Sequence, residues 1–134
     1  MKYLITGIIS CLFFACGTKV VDHSVTGQFH LINKMKSEIR LDFFSKGEIL
    51  ENHNIAVNDT LKLIVDTEGP KDLSPSDISF PIECDSVIVF INNEKQFKYI
   101  YDDVSDESNF LLNKNYNVDI ISSNDFIYSY VFEN

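Results

Sequence analysis

The sequence predicts an all-β chain folded as an antiparallel β-sandwich of about seven or eight strands. Two observations carry that expectation. Apolar residues recur at every second position in segment after segment, and the segments are separated by short turns rich in Asn, Asp and Ser. A third is the lack of a 3.6-residue period outside the N-terminal stretch, with one helical turn expected around Asp106 to Leu112.

Taken in order, SEIRLDFF sets Ile39, Leu41 and Phe43 on one side and Glu38, Arg40 and Asp42 on the other, a half-buried strand. ENHNIAV and TLKLIVDT flank Asn58-Asp59, a pair suited to the positive φ of a tight hairpin. SVIVFI and KQFKYIY flank Asn92-Asn93-Glu94 as a second hairpin, with Phe97, Tyr99 and Tyr101 on one face. YNVDII and FIYSYVF flank Ser122 to Asp125. In the last strand Phe126, Tyr128, Tyr130 and Phe132 line one face while Ile127 and Val131 line the other, as expected of an interior strand. The long connection from Glu68 to Asp85 holds all three prolines and reads as a crossover between sheets, with a short edge segment at Ile78 to Phe80. An exposed recognition loop is the sharper reading of it. Strand count and spacing fit an immunoglobulin-like sandwich; a small β-barrel is the alternative, because alternation does not show whether a sheet closes.

Ahead of this body, Met1-Lys2 is followed by thirteen uncharged residues, Tyr3 to Ala15. At 1.5 Å per residue they reach about 20 Å, short of the roughly 30 Å hydrocarbon core of a bilayer, so the segment reads as a signal peptide. Its end resembles a bacterial lipoprotein signal, with Ala15 directly before Cys16 and polar Gly17-Thr18-Lys19 after it. The resemblance implies cleavage before Cys16 and a diacylglycerol thioether on its sulfur. Ile8-Ile9-Ser10-Cys11 forms a rival box, but cutting there would leave a hydrophobic core of only about eight residues, and Cys16 is preferred. The expected organisation is a signal peptide over residues 1–15, a lipidated tether over 16–25 and a single domain over 26–134.

With Cys11 removed and Cys16 lipidated, Cys84 alone remains. No intramolecular disulfide is then possible, and Cys84 beside Val87-Ile88-Val89 reads as a small buried hydrophobe. Loss of Lys2 leaves ten basic against twenty acidic residues, a formal charge of −10. Nucleic acid is thereby excluded as an expected partner, since its phosphates are bound by Lys and Arg displacing counterions.

The short signal, the all-β body, the run DSVIVFINNEKQFKYIYDD, the segment NFLLNKNYNV and the terminal aromatic strand together resemble small lipoproteins of the Bacteroidetes type. Such a resemblance implies attachment to the outer membrane of a bacterial cell envelope. GTKVVDHS carries one lysine and one aspartate, whereas surface export in that group goes with acidic residues after the cysteine, so the periplasmic face is favoured.

Catalytic signatures are lacking: there is no Gly-x-Ser-x-Gly turn, no His-Glu-x-x-His pair and no glycine-rich phosphate loop. His23, assigned to the tether, and His30 and His53, on presumed strands, are separate segments and read as scattered surface histidines instead of a zinc set. Tyr101 to Ser108 gathers Asp102, Asp103, Asp106 and Glu107, hard oxygen donors of the kind calcium takes, without the spacing of a calcium loop. A solvated turn capped by Asp106 or Ser105 is the favoured reading, and no cofactor is expected. The sequence thus points to a non-catalytic binding or assembly module held to the membrane by lipid, contacting another envelope protein or a glycan. A structural envelope lipoprotein without a ligand, or a small hydrolase, are the alternatives.

Overall fold

The computed structural model describes residues 23–69 and 73–133. Cys11, Cys16 and the signal peptide lie outside the described residues. Among those described are eight strands: β1 (His23–Asn33), β2 (Ile39–Ser45), β3 (Glu48–Ile55), β4 (Thr60–Gly69), β5 (Ser86–Ile91), β6 (Glu94–Ile100), β7 (Asn117–Ser122) and β8 (Asp125–Phe132). They form two four-stranded sheets, β4-β1-β8-β7 and β3-β2-β5-β6, and neither closes into a barrel. The chain is a β-sandwich. One ladder, β1 with β8, is parallel; the others are antiparallel.

Alternation builds the core. Val25, Phe29 and Leu31 of β1, Ile39, Leu41 and Phe43 of β2, Val87 and Val89 of β5, and Phe126 and Tyr128 of β8 all point inward and are buried. β8 lies between β1 and β7, as its two apolar faces predict. Arg40 and Asp42 share the outer face of β2, where their side chains pair at 3.1 Å and the guanidinium covers the Phe90 ring at 4.1 Å.

Five sequence expectations need correction. β1 starts at His23, three residues inside the segment assigned to the tether, so His23 belongs to a strand. The segments around Asn58-Asp59 do not form a hairpin. Asn58 does adopt positive φ (61°), yet β3 pairs with β2 and β4 with β1, so the turn carries the chain from one sheet to the other. Its position is fixed by buried Asn33, whose amide donates to the carbonyls of Ile55 and Ala56 while its backbone pairs with Asn58 and Asp59. Tyr101 falls past the end of β6, so only Phe97 and Tyr99 share a strand face. The helical turn expected over Asp106 to Leu112 is displaced to a 3-10 turn at Asn113–Asn115.

The connection after β4 does cross between sheets, but Ile78 to Phe80 is not an edge strand. Ile78, Phe80, Ile82 and Cys84 alternate inward without joining a ladder, so the segment adds to the core with side chains alone. Gly27 makes room for it: a Cβ there would stand 2.8 Å from Ile78 Cγ2.

Candidate functional site

A groove of about 420 Å³ opens between β6 of one sheet and the end of β8 of the other, with Phe97, Tyr99, Tyr130 and Phe132 as its aromatic lining. Its β6 wall follows from the second hairpin. Asn92 and Asn93 take φ values of 53° and 62°, the geometry of a two-residue turn whose twist matches its strands. Phe90 pairs with Lys95 but Val89 pairs with Phe97, so Gln96 is the extra residue of a bulge and lines the groove. Past the bulge, Phe97 and Tyr99 face inward with rings stacked at 6.1 Å. Tyr99 is covered, whereas Phe97 stands at the rim with half of its surface exposed.

The groove's floor is tied to the acidic loop. Fully buried Phe110 sits among Tyr99, Tyr130 and Phe132 at ring separations of 5.4 to 5.7 Å. The Tyr130 hydroxyl donates to the Ser108 carbonyl at 2.7 Å, and the Ser108 hydroxyl donates to Asp106 at 2.7 Å. Burial, with Tyr99 and Asp106 adding to it, pushes the Tyr130 phenol up to about 12, so it stays a neutral donor. Buried Asn109 knits the loop by donating to the Ile100 and Asp103 carbonyls and accepting from the Leu111 amide.

That loop contains the acidic candidates. Asp103 accepts from the amide and hydroxyl of Ser105, which hold its carboxyl below the ordinary value, and Asp106 accepts the same pair from Ser108. Asp102 and Glu107 are exposed beside them. Both aspartates close their own turns, and among the described residues no three His, Cys, Asp or Glu side chains are grouped to hold a metal. The histidines are apart: His23 and His30 lie on β1, and His53 lies on β3 in the other sheet, 3.0 Å from Glu51. Cys84 is buried, and desolvation followed by the Asp85 charge pushes its thiol up to about 11, far from a reactive thiolate.

Three residues that shape or support the groove carry no signal in the sequence. Phe110 and Asn109 sit in irregular chain, where no period marks an inward residue. Gln96 would have looked like one more polar strand position, because a bulge changes register without changing composition. No helix among the described residues is long and apolar enough to cross a membrane. Compared with protein-family models, with curated proteins and with solved structures, the chain matches none.

Proposed function

We propose that the protein is a non-catalytic binding module of a bacterial cell envelope, held to the membrane, by preference the outer one, through lipid on Cys16, and engaging its partner at the aromatic groove. The observation that carries the binding half is the rim of that groove, where Phe97 is half-exposed over buried Tyr99 beside Gln96 and Glu133. Single exposed apolar residues are ordinary, but an aromatic-walled concavity of ligand size with a few convergent polar groups is the usual form of a binding site. The anchor half rests on Ala15-Cys16 after an uncharged run too short to span a bilayer. Another envelope protein or a glycan is the partner class that an exported acidic module with such a groove suits.

The test is crosslinking of whole envelopes followed by isolation of the protein, comparing the parent chain with Phe97→Ser and with Ile64→Ser. Ile64 is apolar surface at least as exposed as Phe97, on an edge strand of the other sheet. Loss of a crosslinked species with Phe97→Ser and its retention with Ile64→Ser supports the groove. Equal yields from both variants count against it.

A further inference from the structure

Resting on the groove as the binding site, we infer that the group its partner places there is a quaternary ammonium cation. Four aromatic side chains line the groove: Phe97 and Tyr99 from β6, and Tyr130 and Phe132 from β8. The second pair crosses at 66° with ring centres 5.0 Å apart, the first pair is nearly parallel, and Phe97 is the ring that stands half exposed at the rim. Ring faces carry the negative part of the aromatic quadrupole and attract a cation held within about 6 Å.

The charge of the lining points the same way. Glu133 is its one acidic side chain, no Lys or Arg lines it, and among the described residues the Glu133 carboxylate has no hydrogen bond or ion pair. Lys34 and Lys36 flank Met35 in the chain, but only Met35 lines the groove. An anion would find no cationic donor in the lining, and the Ser108 hydroxyl is already turned toward Asp106. A neutral apolar ligand would leave the exposed Glu133 charge without a counterpart. A cation with methyl groups meets both requirements: its charge faces Glu133 and the rings, and its apolar surface fills the concavity.

The experiment titrates the purified protein with choline and, separately, with 3,3-dimethylbutan-1-ol, its uncharged carbon isostere, following groove amides by NMR. Choline is expected to bind at least about tenfold more tightly than the alcohol. Glu133→Gln should weaken choline about tenfold and leave the alcohol unchanged, since only the cation meets that charge. Phe97→Leu keeps apolar bulk at an exposed position and should weaken choline selectively too. Equal affinity for the two probes overturns the cation and leaves the groove a binding site. Failure of both probes also overturns it, and the crosslinking with Phe97→Ser then decides whether the binding-site reading survives.

Discussion

The rings of Phe29 and Tyr128 are stacked at 4.4 Å and within 6° of parallel, directly opposite each other in the parallel ladder that joins β1 to β8. This contact binds the first described strand to the last, and the Tyr128 hydroxyl then donates to the Pro75 carbonyl at 2.7 Å, pinning the crossover. Tyr128→Phe keeps the stack and should cost about 1 kcal/mol in urea unfolding, the worth of one net hydrogen bond. Phe29→Ala removes the stack and should cost about 3–5 kcal/mol. Equal costs would mean that the hydroxyl, not the ring pair, is the principal tie.

Gly27 should not tolerate a methyl group. Gly27→Ala drives a Cβ against Ile78 Cγ2 and should destabilise the fold by about 1–3 kcal/mol, the usual range for overpacking. In an Ile78→Ala background the same change should cost much less, because the clashing methyl is gone. An undiminished cost in the double variant would place the strain in the strand backbone instead.

Cys84 should be nearly inert in the folded protein. With its thiol at about 11, only about one molecule in a thousand is thiolate at pH 8, against roughly a quarter for an ordinary cysteine. Alkylation by iodoacetamide should therefore be at least about a hundredfold slower than in denaturant. Comparable rates in both conditions would show that the segment carrying Cys84 opens readily.

Much of the sandwich was legible because alternation is local. Ile39, Leu41 and Phe43 announce a strand face, Asn92-Asn93 announces its turn, and the two-faced apolarity of β8 announces an interior position. The turn at Asn58 shows the limit. Positive φ is a property of the residue, but which sheet each flanking strand joins is decided by distant partners, here β1 and β2, through the buried Asn33 amide. The groove was less legible still. Phe97 and Tyr99 were visible as one face, but Phe110 and Asn109 reach the site through an irregular loop held by its own aspartates. Those aspartates, the residues the sequence offers as metal donors, build that loop.

The anchor makes a separate prediction. Mass spectrometry of the membrane-extracted protein should find a mature terminus at Cys16 bearing the lipid, and Cys16→Ser should remain unprocessed and unacylated. A terminus at Cys11, or acylation that persists in Cys16→Ser, would move the modification to the rival box.

Site-specific photo-crosslinking in living cells tests the central claim most directly. A photoreactive residue placed at Phe97 lies on the groove rim, and one placed at Gln28 lies on the outer face of the other sheet. The account predicts a discrete adduct from position 97 that excess choline reduces, and none from position 28. Adducts from position 28 alone, or the same adducts from both positions, would contradict it.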